Sequence, residues 1–170
     1  MEDFLNPQKI LNQLKLRKDM VAADFGSGSG FWVLPLAKIL EEGKVFAIDI
    51  LEEPLSALRL KTKLEKISNI EMIKADVEEG SRMLNDSCDL VLMTNLLFQS
   101  EKRNYIFQEA KRVLKKNGKI LVVDWKEDAP FGPKTAVSLS EVKKIAEEES
   151  LKLEKEFEPG KYHYGLLFQK

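Results

Sequence analysis

Short apolar runs alternate along this chain with longer stretches in which apolar residues recur every three or four positions. The runs are 20–25, 45–49, 70–75, 88–93 and 120–123, and each predicts a strand. The amphipathic stretches are 7–16, 31–41, 52–67, 101–115 and 138–150, and each predicts a helix. Pro7 suits a helix start, Gly43 a helix stop, and Leu55, Leu58, Leu64 and Ile67 form one apolar stripe. Runs such as Ile120 to Val123 are apolar without alternation, the pattern of a strand covered on both faces. The expectation is a mainly parallel sheet with helices on both sides, an α/β fold. Two further strands, 152–158 and 162–169, are joined by Pro159-Gly160-Lys161. Three residues are too few for a parallel crossover, so the tail is expected to be an antiparallel hairpin. That makes seven strands, mostly parallel, in one domain over 1–170, with 1–18 as an N-terminal helix or cap and 151–170 as the hairpin. The loop 126–136 is the longest irregular stretch and follows the fifth strand, where a substrate lid would sit.

Composition narrows the classes. A chain of 170 residues, 44% apolar and 32% charged, fits a globular domain. The net charge of −1 gives no electrostatic reason to expect nucleic acid. One cysteine, Cys88, and one histidine, His163, cannot build a disulfide framework or a Cys- or His-rich metal centre, so no metal is expected. No apolar run reaches the ~18–20 residues that span a bilayer, and Met1-Glu2-Asp3-Phe4 does not read as a signal peptide. A cytoplasmic location is the expectation.

The sharpest chemical signal is Asp24-Phe25-Gly26-Ser27-Gly28-Ser29-Gly30, between the first strand and its helix. Glycine permits a tight turn and close approach of a ligand to the backbone. A dinucleotide fingerprint wants a small residue at position 31, where Phe31 stands, and a phosphate loop wants Gly-Lys-Ser/Thr, which is lacking. Asp24 would repel a pyrophosphate and suit a ligand with an ammonium group. Asp49 ends the second strand, where a carboxylate accepts both ribose hydroxyls. Asp76 ends the third, where it can accept from an adenine amino group beside the Val77 backbone.

Together these residues resemble the class I S-adenosylmethionine-dependent methyltransferases, closest to the type 11 group. The segments Cys88 to Phe98 and Glu109 to Val122 also match, so the similarity covers nearly the whole chain. The resemblance implies a Rossmann-like fold, S-adenosylmethionine as cofactor and S-adenosylhomocysteine as product. It implies that Asp24, Gly26, Ser27 and Gly28 hold the methionine part, Asp49 and Ile50 the ribose, and Asp76 and Val77 the adenine. Asn95 is expected within reach of cofactor or substrate. Ser27 and Ser29 replace the cysteine and the aspartate or threonine often seen in the loop, and the large substrate caps of many members are missing.

Methyl transfer is an in-line displacement, so the protein must chiefly position two reactants. A base is needed only for a protonated acceptor, and the candidate is His163. The sixth strand runs with the core strands, so the 159–161 turn and His163 fall at their C-terminal edge. Thr94 and Asn95 are expected where substrate and methyl group meet, and Asp124 and Trp125 beside them. Cys88 reads as core, Phe4 and Leu5 as a flap or a staple, and Lys15, Arg17, Lys18 and Glu147 to Glu149 as solvated charge. Asn95-Leu96-Leu97-Phe98 lacks the prolines expected of nucleic-acid amino methylation. The acceptor is expected to be a small molecule or a protein side chain. The rivals are a cofactor-binding protein without turnover and a NAD-type oxidoreductase, against which Phe31 and Asp24 count.

Overall fold

The computed structural model describes residues 5–170. The strands are β1 Val21–Phe25, β2 Lys44–Asp49, β3 Ile70–Lys74, β4 Cys88–Thr94, β5 Leu114–Trp125, β6 Lys152–Gly160 and β7 His163–Gln169. The helices are α1 Pro7–Leu11, α2 Val33–Ile39, α3 Glu52–Glu65, α4 Arg103–Val113 and α5 Leu139–Glu148. One seven-stranded sheet runs in the order β3-β2-β1-β4-β5-β7-β6. Strands β1 to β5 are parallel, and β7 is antiparallel to both β5 and β6. The strand order reverses between β1 and β4. Connections leaving them diverge to opposite sides and open a crevice at the C-terminal edge.

The unbroken apolar strands are explained by two separate cores. Leu90 and Leu92 of β4, with Leu121 and Val123 of β5, pack against Ile10, Leu11, Val33, Leu36 and Leu58 of α1, α2 and α3. Val91 and Met93, with Ile120 and Val122, pack against Ile106, Phe107, Val142 and Ile145 of α4 and α5. Every core strand residue therefore meets a helix on one side or the other. Cys88 is a buried free thiol in the second core, as expected of a small apolar residue.

Several boundaries differ from the pattern. The N-terminal helix stops at Leu11, passes through a 3-10 turn over Asn12–Leu14, and breaks at Lys15 with φ 52°. Leu5 packs against the α1/α2 core, while Phe4 lies outside the described residues. Helix α3 ends at Glu65, where Lys66 turns left-handed; Leu64 lies about half a turn around the helix from Leu55 and is 83% exposed, and Thr62 takes the inward place expected of it. Asn117-Gly118 is an excursion within β5 rather than the end of a helix. Leu114 is fully buried and already pairs with Cys88, and pairing resumes at Lys119 opposite Leu90. Ser138 caps α5, its hydroxyl accepting from the N–H of Glu141 at 3.1 Å.

Gly43 is needed for a reason other than a helix stop. A Cβ there would stand 1.9 Å from the carbonyl oxygen of Met20, which the turn into β2 brings against it. Gly43→Ala should therefore destabilise the fold by about 2 kcal/mol, the usual scale of forced overpacking, read from urea unfolding midpoints. An unchanged midpoint would mean that the 40–44 turn is free to relax.

Candidate active site

The glycine loop sits in the crevice between the C-terminal ends of β1 and β4. The N–H groups of Gly26 and Ser27 both donate to the carbonyl of Ile48, at 2.8 and 2.9 Å, and fold the loop back over β2. Gly26 has φ 72° and faces Leu96, whose Cδ1 would lie 2.9 Å from a Cβ. Gly28 has φ 52°, and nothing lies within 4 Å of where its Cβ would be. The first is glycine because Leu96 closes on it, the second because of its left-handed backbone. From α3, Lys61 fastens the loop by donating to the Ser29 carbonyl at 2.8 Å.

Asp49 is fixed by the loops it joins. Its Oδ2 accepts from Gly28 N–H at 2.8 Å and its Oδ1 from Leu51 N–H at 3.0 Å. Each oxygen keeps a further lone pair for a ligand. The Oδ1 of Asp76 accepts from Glu78 N–H at 2.9 Å. Gly26, Asp49, Ile50, Asp76 and Val77 line one cleft of about 460 Å³, closed on the far side by Leu96, Gln99 and Ser100. That volume lies within the range of small-molecule sites.

Asp24 near the end of β1, Ser27 in the glycine loop and Asn95 at the exit of β4 lie at the same edge of the sheet, outside the lining of that cleft. Asp24 is 1% exposed, and burial, with the charge of Asp49 added, pushes its carboxyl well above the usual carboxylate range. Its Oδ1 has no partner, and neither do Ser27 Oγ and Asn95 Oδ1. Asn95 takes φ 50° as the chain leaves β4, its N–H held by the carbonyl of Val123 at 2.8 Å. Among the described residues, the remaining buried side-chain atoms without a partner are Trp32 Nε1 and His163 Nε2. All of these residues lie at or just beyond the C-terminal edge of the sheet. Buried polar atoms are nearly always satisfied, so their concentration at one edge makes that edge the candidate ligand site.

His163 stands at that edge, paired with Trp125 across β5 and β7, its ring 4.1 Å from the Trp125 ring. Burial lowers its pKa to about 4, so it is neutral at pH 7. Thr94 is buried opposite Val123, two residues short of Trp125 along β5. The 126–136 loop folds onto this corner, with Phe131 edge-on to Tyr162 and Gly132 against the Trp125 ring. A larger hollow, about 610 Å³, lies beyond it between α5 and β6. Two of its carboxylates are already spent on ion pairs, Glu156 with Lys143 at 2.5 Å and Glu158 with Lys126 at 2.7 Å. It lies away from the glycine loop and from the acids at the ends of β2 and β3, which line the smaller cleft, so the smaller cleft is the candidate ligand site.

Residues 16–165 match the family model of a methyltransferase domain. The chain belongs to the methyltransferase domain family. Its fold superposes on an S-adenosylmethionine-dependent methyltransferase from Aquifex aeolicus with a TM-score of 0.89 and 28% identity, covering 97% of this chain and 89% of that one. A structure from Sulfolobus solfataricus described as a type 11 methyltransferase shares the fold at TM-score 0.76 and 24% identity, over 98% and 92% of the two chains. The PH0226 protein from Pyrococcus horikoshii shares it at 0.78 and 18%, over 96% and 88%.

The methyltransferase uses S-adenosylmethionine, and the site has the chemistry for it. The cofactor carries an ammonium and a sulfonium, and the crevice offers an unpartnered buried carboxylate at Asp24. A sequence reading overlooks Leu96, Gln99, Ser100 and Lys61, because nothing in their spacing shows that the turn after β4 closes on the glycine loop. Asp24 also fixes a sign. Its raised pKa means that the buried carboxyl costs native stability wherever the unfolded chain would ionise it. That cost is present above the raised value, shrinks as pH falls through it, and is gone below the ordinary ~3.9. Asp24→Asn should therefore raise the melting temperature of the cofactor-free protein at pH 8 by about 2–4 °C, the shift for ~1 kcal/mol, while weakening cofactor binding at least ~10-fold. A lower melting temperature with unchanged binding would refute this role.

Proposed function

We propose that this methyltransferase transfers the methyl group to a small-molecule or protein side-chain acceptor held over the ends of β4 and β5. The observation that carries the reading is the set of unpartnered buried atoms on Asp24, Ser27 and Asn95 beside the Asp49–Asp76 cleft. We assign Asp24, Gly26, Ser27, Gly28 and Asn95 to the methionine half of the cofactor, Asp49 and Ile50 to the ribose, and Asp76 and Val77 to the adenine. Bound S-adenosylmethionine supplies an electrophilic methyl carbon with a built-in leaving group. The chain's own work is then orientation. The doubly anchored Asp49 fixes one end of the cleft, and the Gly26–Leu96 contact fixes the other. Holding reactants in line is worth up to ~7–11 kcal/mol in favourable cases.

His163 is assigned to the acceptor's proton. A neutral imidazole with a pKa of about 4 is a weak base toward a resting hydroxyl or amine. An acceptor oxygen becomes strongly acidic as it bonds a methyl group, and a weak base suffices at that stage. The free, buried Cys88 suits a reducing compartment, which supports the cytoplasm as the place of action.

Calorimetric titration with S-adenosylmethionine tests the cofactor half. Asp49→Ala should weaken binding about 10- to 100-fold, the loss of charge-assisted hydrogen bonds worth ~1.5–3 kcal/mol. Wild-type affinity in the variant would remove Asp49 from the site. His163→Ala should leave cofactor affinity within about 2-fold and slow methylation of an identified acceptor by ~10²-fold or more. Equal rates would reduce His163 to a packing partner of Trp125.

A further inference from the structure

Asp124 does not line the cofactor cleft, yet it is fully buried at the end of β5 directly behind the cleft's outer wall. Its Oδ2 accepts from Leu97 N–H at 2.8 Å and its Oδ1 from Trp125 N–H at 2.8 Å. The N–H groups of Leu96 and Phe98 also lie close enough to favour its ionised form. Three of these four amides belong to the tight turn that follows β4. The turn is closed by Gln99 N–H on the Leu96 carbonyl and Ser100 N–H on the Leu97 carbonyl, both at 3.2 Å. It is held from outside as well. Arg103 Nε donates to the Leu97 carbonyl at 2.9 Å, and Arg103 is itself paired with Glu141 of α5 at 3.2 Å.

The same turn carries Leu96, Gln99 and Ser100, which form the wall of the cleft facing Asp49 and Asp76. Leu96 is also the side chain that closes on Gly26. Leu97 is thus gripped at both backbone groups, its N–H by Asp124 and its carbonyl by Arg103, and its neighbours are thereby aimed at the cofactor.

Building on the cofactor assignment above, we propose that Asp124 is a positioning residue. It sets cofactor affinity by gathering the amides of the Leu96–Phe98 turn and holding that wall against the glycine loop, without touching the cofactor. The nest requires a group that accepts on both oxygens. A carboxylate does so, whereas an amide would turn an NH₂ toward one of the N–H groups. The position is an unfavourable one for a charge: burial pushes the Asp124 pKa up to about 6 even with the amides around it. A core held by packing alone would be better served there by an apolar residue.

The test measures S-adenosylhomocysteine affinity, melting temperature and backbone amide exchange for wild type, Asp124→Asn, Arg103→Met and Asp49→Ala. Asp124→Asn should bind at least about 10-fold more weakly, with a melting temperature equal to or above that of wild type. Faster exchange should be confined to the amides of 96–98. Arg103→Met, at the half-buried start of α4, should weaken binding about 3- to 10-fold with the same local signature. Asp49→Ala should lose binding while the 96–98 amides stay protected. Wild-type affinity in Asp124→Asn, or weakened binding that tracks a global loss of stability, overturns the proposal. Should Asp124→Asn fail to fold, wild-type affinity and protection in Arg103→Met overturns it equally. Failure of the wild-type protein itself to bind S-adenosylhomocysteine would instead strike the cofactor assignment on which the proposal stands.

Discussion

A parallel sheet buried on both faces has only its two edges left for polar chemistry. In β1, β4 and β5, residues alternate between the α1/α2/α3 core and the α4/α5 core, so no side chain within the sheet can serve a ligand. Polar residues can enter only where the strands stop. Because β1 to β5 run the same way, their C-terminal ends share one edge, and Asp24, Thr94 and Asp124 mark it as the buried polar residues of β1, β4 and β5. The reversal of strand order between β1 and β4 then opens the crevice at that edge rather than elsewhere.

The edge is costly to keep. Asp24 and Asp124 are buried carboxylates whose ionised forms burial disfavours, and neither has a cation beside it. They solve the problem differently. Asp124 is met by backbone amides of the turn it organises, while one oxygen of Asp24 meets nothing. The first is a finished internal contact and the second an unfinished one. Active sites retain such unfavourable groups because a ligand, or a geometry required by a ligand, returns what the empty fold loses. The ion pair between Glu109 and Arg112 is the contrast. There the partners are all internal, Ser81 joins them, and the Glu109 pKa falls to about 2. It braces the Ser81–Met83 segment without facing the crevice.

Much of this was legible in the sequence, for a physical reason. The strand runs, the hairpin forced by a three-residue connection, the glycine loop and the acids ending strands one to three are all local features. Each states its backbone conformation or its place on a strand within a few residues. What escaped was long-range. Leu64 is apolar but lies about half a turn around α3 from Leu55, so the inward face continues through Thr62, a polar residue that an apolar pattern passes over. Asn117-Gly118 has the composition of a helix stop, yet Leu114 had already been drawn into pairing with Cys88. Gly43 looks like a helix terminator and is required by the Met20 carbonyl, from a strand-leading residue over twenty positions earlier. The role of Leu96 over Gly26 depends on two loops meeting across the switch point, which no spacing along the chain records.

The adenosine half of the site is generic, and the reaction is decided at the other half. An acid at the end of the second strand serves a ribose in any fold of this type, whatever the ribose is attached to. The sign of charge tolerated at the first glycine turn is what separates the possibilities. A dinucleotide places its pyrophosphate there, and this protein places Asp24 there, buried and already opposed by the charge of Asp49. Adding phosphate charge to that pair would raise a repulsion that the fold is already bearing at a desolvated position. A ligand bearing an ammonium and a sulfonium relieves it. On the assignment proposed for Asp24, the same carboxylate that makes the cofactor-free protein less stable than it need be would favour the cationic cofactor, in keeping with methyl transfer rather than hydride transfer.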